Sequence, residues 1–194
     1  MRLFFLTKIF LIFFLLCFKS YSNELILLGE KDAPVKIKIY SSLTCPHCAN
    51  FHKNIVPLIE ENYVKSGNVQ LIFMDFPLDQ ASLNASKILH CSNKETQIEL
   101  LDKIYEKQSS WASGSSIEKI NSNLQKVVEN FGINSSKFKK CLNNVIIEDR
   151  ILNDRIEGQK KYSINSTPTI IINEKKFEES VNFKNIKNKI EKLI

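Results

Sequence analysis

Two cysteines separated by only two residues constrain the fold of this chain more than any other feature of its sequence. The stretch Cys45-Pro-His-Cys48 follows the alternating run at 35–40 and opens a helical pattern. A strand that leads directly into a helix places the first cysteine at the helix N-terminus, where free N–H groups and the helix dipole favour a thiolate. The second cysteine lies one turn later and can close a disulfide with the first. The pattern predicts a redox site with Cys45 as the nucleophile and Cys48 as the resolving thiol.

A structural zinc site is the main alternative for such a pair, because paired cysteines also bind zinc. That site needs a second pair of ligands at a matching spacing. Cys91 and Cys141 are isolated and far apart in the sequence. The sequence therefore predicts no metal ion and no other cofactor.

The charge of the chain is too small to indicate a nucleic-acid partner. There are 27 basic and 21 acidic residues, a formal net charge of +6. The first 22 residues hold Arg2, Lys8 and Lys19 and no acid, so the rest of the chain has 24 basic residues and a net charge of +3. We expect no nucleic-acid binding.

Residues 1–22 are typical of a secretory signal peptide. Arg2 and Lys8 precede an apolar run at 9–18, and small residues stand before a predicted cut near Ser22. The run is shorter than the ~20 residues of a membrane span. An uncleaved anchor and a lipoprotein modified at Cys17 remain as alternatives. Export predicts an oxidising compartment, which suits the four remaining cysteines.

The remainder divides into two α/β segments, 23–77 and 163–194, on either side of a helical segment at 78–162. After a lead-in at 23–32 come a strand at 35–40, a helix interrupted near Pro57, and a strand at 69–74. In the C-terminal segment, the sequence pattern predicts strands at 169–172 and 176–178 and a helix at 182–193. In the helical segment, apolar residues three and four apart predict helices, with N-caps at Ser115 or Ser116 and at Asn134 or Ser135. The predicted helices are 81–90, 95–107, 117–131, 136–142 and 145–160.

Three motifs in this order resemble the DsbA-like thiol-disulfide oxidoreductases of the thioredoxin superfamily. They are Cys45-Pro-His-Cys48, the stretch Val69-Gln-Leu-Ile-Phe-Met-Asp-Phe-Pro-Leu78, and Ser166-Thr-Pro-Thr169. The resemblance covers essentially the whole chain after residue 22. It implies an α/β thioredoxin fold with a helical insertion between the second and third strands.

The resemblance also implies that Pro168 is a cis proline packed against the redox site. A cis bond there would expose the backbone of Thr167 beside Cys45, so that an extended client segment could pair with it. A trans proline that merely begins a strand is the alternative. Pro46 and His47, between the cysteines, are expected to tune the redox potential, since a charged histidine attracts a thiolate. By resemblance the disulfide is expected to be a strong oxidant.

Other polar residues receive weaker assignments. His52 and His90 are predicted to be ordinary, partly exposed helix histidines. The strand before the motif offers Ile37 and Ile39 where many thioredoxin-like enzymes carry a buried acid. Asp75 either replaces that acid or is an exposed turn residue. By resemblance, Thr167 stands where valine is also used, and threonine occurs in disulfide isomerases as well as in several DsbA-like branches. The choice between oxidase and isomerase therefore stays open.

Cys91 and Cys141 fall on two helices of the predicted insertion. If these helices pack together, a structural disulfide would close a loop of about 50 residues and stabilise the fold by ~4 kcal/mol. Export and the even cysteine count favour the disulfide over two free buried thiols.

These features predict a periplasmic thiol oxidase that acts as a monomer. Its clients would be unfolded, exported, cysteine-containing proteins, and a DsbB-type membrane quinone reductase would reoxidise it. An isomerase or reductase is one alternative, although few residues precede the first strand to form the dimerisation domain of a usual isomerase. A chaperone-like client-binding protein and a metal carrier are the others.

Overall fold

A five-stranded mixed sheet forms the centre of the computed structural model, which describes residues 25–194. The sheet order is β1-β3-β2-β4-β5; β2 and β3 are parallel and the other neighbouring pairs are antiparallel. The predicted signal peptide lies outside the described residues. The strands are β1 (Ile26–Leu28), β2 (Val35–Ser41), β3 (Val69–Asp75), β4 (Thr169–Ile172) and β5 (Lys175–Lys176).

The two central strands have apolar residues on both faces of the sheet. On one face, Ile37 of β2 lies opposite Leu71 of β3, and both belong to one hydrophobic cluster. On the other face, Tyr40 of β2 and Ile72 of β3 belong to a second cluster. These side chains are buried, as expected for strands covered on both sides. Strand β1 was not predicted, because its three residues lie in a segment that carries no clear alternation.

Helices cover both faces of this sheet. A π-helical turn at Glu60–Val64 and 3₁₀ turns at Lys94–Thr96 and Glu129–Phe131 extend three of the helical segments. Within residues 25–194, none of the helices has the length and apolar character needed to cross a membrane. The helices are α1 (Pro46–Asn54), α2 (Val56–Ile59), α3 (Gln80–His90), α4 (Gln97–Glu106), α5 (Gln108–Trp111), α6 (Ile117–Val128), α7 (Ser135–Leu142), α8 (Val145–Tyr162) and α9 (Phe183–Glu191).

The helix after the cysteine motif is interrupted at Ile55, two residues before Pro57. Ile55 keeps a helical backbone, yet α1 ends before it and α2 begins after it, with Pro57 in the first turn of α2. Proline lacks the N–H that a continuous helix would use, so the predicted restart at this position is confirmed.

Helices α3 to α8 form an insertion between β3 and β4, and apolar residues of α3 to α7 share one hydrophobic cluster with the Cys45–Cys48 pair. Trp111 is fully buried in it, and the indole N–H donates to the Ile104 carbonyl at 2.8 Å. The Ser116 and Asn134 side chains accept backbone N–H bonds at the starts of α6 and α7. Both caps were predicted, and they fix where these helices begin.

The insertion packs directly on the sheet through α8. Gly158 of α8 faces the Tyr40 ring of β2, and a Cβ atom at position 158 would lie 2.6 Å from that ring. Glycine therefore lets helix and sheet approach closely here. With its central sheet and inserted helices, the structure confirms the predicted α/β class and the thioredoxin fold with a helical insertion.

Candidate active site

Cys45 lies at the junction of sheet, helix and insertion. It is the residue before α1, with an extended backbone, and its amide N–H bonds back to the Ser42 carbonyl at 3.1 Å. Its side chain is 8% exposed, and Sγ donates to the Thr167 carbonyl at 3.5 Å. The thiol therefore stands at the N-terminus of a helix and against the loop that opens β4.

The Thr167–Pro168 peptide bond is cis, as the resemblance implied. The loop before it is held by Thr169, whose hydroxyl donates to the Ser166 carbonyl at 2.8 Å. The Thr167 hydroxyl oxygen is buried and has no hydrogen-bond partner among residues 25–194. This hydroxyl is therefore available to donate to a thiolate formed beside it.

Hydrogen bonding lowers the pKa of Cys45 below the ordinary thiol value. Burial acts in the opposite direction and is the largest single influence, but it is outweighed by bonds from Thr167, the Cys48 amide and thiol, and the His47 amide. Donors directed at a sulfur atom stabilise its charged form. Cys45 is therefore the more acidic of the two thiols.

Cys48 has the opposite character. It is 1% exposed, and burial, together with the neighbouring Cys45, raises its pKa to about 12, even though Thr167 and the Ser42 backbone act to lower it. At neutral pH it remains a protonated thiol. One site thus holds a reactive and an unreactive sulfur.

Pro46 and His47 point to solvent. Both are exposed, and no hydrogen bond in residues 25–194 involves the His47 ring. What reaches Cys45 is the backbone N–H of His47. The assignment of His47 as a tuning residue stays a prediction, and the structure supports a contribution from its backbone.

The prediction that His52 and His90 are partly exposed was wrong for His52 and for the ring of His90, although His90 as a whole residue is half-buried. His52 is 6% exposed, stacks against Tyr105 and bonds to Asp102 at 2.6 Å. The His90 side chain is 4% exposed and lies 2.5 Å from Asp75. Each histidine ring is buried because an acid distant in sequence provides a partner for it.

Asp75 is a buried residue and not an exposed turn acid. Burial opposes its ionisation, but His90, Ser86 and Arg150 together lower the pKa of this carboxyl. At the end of β3, its carboxylate is therefore held in a buried hydrogen bond with the His90 ring.

The turn before Cys45 is held by polar side chains of the insertion that the sequence analysis did not identify. The Ser82 hydroxyl oxygen accepts from the Leu43 amide at 2.9 Å, and the Thr44 hydroxyl donates to Asp79 at 2.7 Å. Gln108 donates to the carbonyls of this turn. Asp79 also caps α3, and its position before that helix is the only local sign of its role.

A cleft of about 490 Å³ opens beside this turn, between Thr44 and residues 112–120 of the insertion. It is lined by polar atoms of Asp79 and by apolar side chains such as Ile117. Thr44, the residue before Cys45, lines this cleft, whereas Cys45 itself does not.

The second cysteine pair is bonded. Cys91, just after α3, and Cys141, in α7, form a disulfide with a Cα–Cα distance of 5.9 Å. The predicted disulfide is therefore present in the structure. No group of three or more histidine, cysteine or acidic side chains within residues 25–194 is arranged to hold a metal ion.

Comparison with protein families gives one match over most of the chain. Residues 22–192 match the family model described as Thioredoxin. This span contains both cysteine pairs, the cis proline and the whole insertion.

Solved and curated relatives include a DsbA protein and proteins named for disulfide bond formation or disulfide oxidoreduction. The crystal structure of alpha-DsbA1 from Wolbachia pipientis is 30% identical, has a TM-score of 0.79, and is matched over 88% of this chain and 90% of its own. Disulfide bond formation protein D of Bacillus subtilis is 24% identical over 85% of this chain and 75% of its own. A Rickettsia bellii protein, whose name assigns it to the protein-disulfide oxidoreductases, is 26% identical over 82% of this chain. The match spans 61% of that protein's length.

Proposed function

This chain belongs to the thioredoxin family, in its DsbA-like branch of disulfide oxidoreductases, and from that premise we propose that it introduces disulfide bonds into exported proteins. Cys45 and Cys48 would carry the exchanged disulfide. The Cys91–Cys141 disulfide would serve structure.

The opposed acidities of Cys45 and Cys48 carry this proposal. The pKa of Cys45 lies below the ordinary thiol value, and burial raises that of Cys48 to about 12. A stabilised Cys45 thiolate favours the reduced protein over the disulfide form, so the disulfide accepts electrons readily. This is the direction expected of an oxidase.

The first step is attack by a client thiolate on Sγ of Cys45 in the oxidised protein. A client–Cys45 disulfide forms, the Cys45–Cys48 bond breaks, and Cys48 leaves with the electron pair. Because the pKa of Cys48 is about 12, its sulfur takes up a proton at neutral pH. The buried thiol then competes poorly for the mixed disulfide, which leaves time for the client to react further.

The second step is attack by another client thiolate on the client sulfur of the mixed disulfide. The client disulfide forms, and Cys45 leaves as the thiolate that its hydrogen bonds stabilise. The client has lost two electrons and the protein has gained them. The backbone of Thr167, beside the cis Pro168, would align the client segment in an extended form.

The cellular setting follows from the predicted leader and the chemistry. In an oxidising periplasm, disulfides formed in client proteins would persist. Each turnover leaves a reduced protein, so a DsbB-type membrane quinone reductase is proposed to remove its electrons. We propose a monomer as the working form.

Measurement of the Cys45/Cys48 reduction potential, by equilibration with glutathione, tests the proposal. We expect a value near −120 mV, with the reduced form thermally more stable. A value near −270 mV, with the more stable disulfide form, would identify an electron donor and end the oxidase proposal.

A Cys45→Ser variant is the control against a chaperone role. It should lose oxidation of a reduced dithiol peptide completely. Two results together would favour a client-binding protein. The wild-type protein would oxidise no peptide, and the Cys45→Ser variant would protect clients from aggregation as well as the wild type does.

A further inference from the structure

The turn that delivers Cys45 to the active site is bonded at successive residues to the helical insertion. The Ser42 hydroxyl donates to Ser82 at 2.8 Å, and the Leu43 amide donates to the same oxygen at 2.9 Å. The Thr44 hydroxyl donates to Asp79 at 2.7 Å. These three residues are fixed by α3 and its cap.

Gln108 continues this series to Cys45 itself. Its side-chain amide nitrogen donates to the Leu43 carbonyl at 2.8 Å and to the Cys45 carbonyl at 3.0 Å. Both hydrogens of the amide are used, and the residue is 8% exposed. Among the side chains of residues 25–194, only that of Gln108 hydrogen-bonds to the Cys45 backbone.

The position of Gln108 is itself rigid. It is the first residue of α5, a single helical turn that ends at the fully buried Trp111. The indole of Trp111 is bonded to the Ile104 carbonyl in the preceding helix. A donor anchored in this way loses little further freedom when it binds the two carbonyls.

We propose that Gln108 is a positioning residue for thiol–disulfide exchange at Cys45. It does not touch the sulfur. It orients the carbonyls on either side of Thr44, and so holds Cys45 at the start of α1 with Sγ against the Thr167 carbonyl. This inference rests on the proposed function, because exchange at Cys45 is the reaction that benefits.

The two N–H groups also place partial positive charge on the turn that carries the thiolate. Their removal leaves two buried carbonyls without these donors and allows the turn to shift. We therefore expect loss of Gln108 to raise the pKa of Cys45 and to slow its reaction. A small displacement of a reacting group is enough for a large change in rate.

The test is a Gln108→Met variant of the full chain, since methionine has similar length but donates no hydrogen bond. We expect about tenfold slower oxidation of a reduced dithiol peptide, with little change in KM. Thiolate absorbance at 240 nm, titrated against pH in the reduced protein, should show a higher pKa for Cys45.

Gln97→Met is the matched control. Gln97 is also the first residue of an insertion helix, and its amide donates to the Leu89 carbonyl at 3.1 Å, away from the turn. This variant should keep the wild-type rate and the wild-type pKa of Cys45. Equal effects of the two substitutions would reduce the role of Gln108 to general stability and overturn the proposal.

Gln108→Glu keeps the proposal testable if the methionine variant fails to fold. A protonated carboxyl can donate one bond to a carbonyl, whereas a carboxylate can donate none. The rate relative to wild type should therefore fall as pH rises and the carboxyl ionises. A constant ratio would overturn the proposal. If the wild-type protein oxidises no peptide, the proposed function is wrong. The pKa of Cys45, compared between the wild type and the Gln108 variants, would still test whether Gln108 positions this cysteine.

Discussion

The two cysteine pairs lie in the same hydrophobic cluster but have opposite chemistry. Cys45, Cys48 and Cys141 are buried members of it, and Cys91 packs against it. The first pair spans two intervening residues and consists of free thiols, while the second joins residues 50 apart in a disulfide. Membership of this buried cluster is therefore not enough to make a cysteine inert.

The neighbours of each sulfur make the difference. Cys45 stands at a helix N-terminus and receives hydrogen bonds that lower its pKa, despite burial. Cys48, only one turn further along, is deeper, and burial dominates. Reactivity at this site depends on donors directed at one sulfur atom, and it changes within a single turn of helix.

Alkylation of the reduced protein should show the largest contrast. Hydrogen bonds lower the pKa of Cys45 from the ordinary thiol value, whereas burial raises that of Cys48 to about 12. At neutral pH we expect iodoacetamide to modify Cys45 more than about 1000-fold faster than Cys48, because only thiolates react. Peptide mass spectrometry at timed intervals measures both rates. Comparable alkylation rates of Cys45 and Cys48 would show that the two thiols do not differ in reactivity.

Removal of the Cys91–Cys141 disulfide tests whether the second cysteine pair serves stability and not reactivity. Replacement of both Cys91 and Cys141 by alanine should lower the free energy of unfolding by about 4 kcal/mol, since the unfolded chain loses a 50-residue cross-link. Urea titration measures this change. The pKa of Cys45 should stay as in the wild type.

Non-reducing mass spectrometry of a Cys45→Ser/Cys48→Ser variant supplies the covalent check. Cys91 and Cys141 should be recovered as one linked peptide pair. Two free thiols at these positions would contradict the assignment of the second pair.

The smallest expected effect concerns the buried hydrogen bond between Asp75 and His90, the residue before Cys91. Asp75→Asn should cost about 2 kcal/mol of stability at neutral pH, because the His90 ring loses a charged hydrogen-bond partner. The folded-state pKa of Asp75 is lowered, so its contribution is present above the unfolded value of 3.8 and is lost as pH falls through the folded value. Urea titrations of both proteins from pH 7 to pH 2 should therefore converge. A difference independent of pH would contradict an ionised Asp75.

Local sequence signals were sufficient for much of the fold. The strand–cysteine–helix junction, the cap at Ser116 and the proline restart near Ile55 each depend on neighbouring residues, and all three are present. Proline and capping side chains act within one turn of the chain, so their effects are readable from short stretches.

Contacts between distant segments were not readable in this way. The burial of His90 depends on Asp75, and the role of Gln108 depends on a turn more than sixty residues earlier. A glutamine at a helix start has many uses, and nothing beside it in sequence indicates its partner. Likewise, β1 exists because β3 offers it an edge to pair with.

The sheet order has a consequence for how the protein matures. Strand β4 pairs beside β2, yet residues 76–168 separate it from β3. A chain that emerges N-terminus first must close this long loop before the sheet is complete, and such closure slows folding. Thr167, which helps to acidify Cys45, arrives with the same late strand. A partly emerged chain therefore holds Cys45 without one of the groups that activate it, and full reactivity comes only with the final fold.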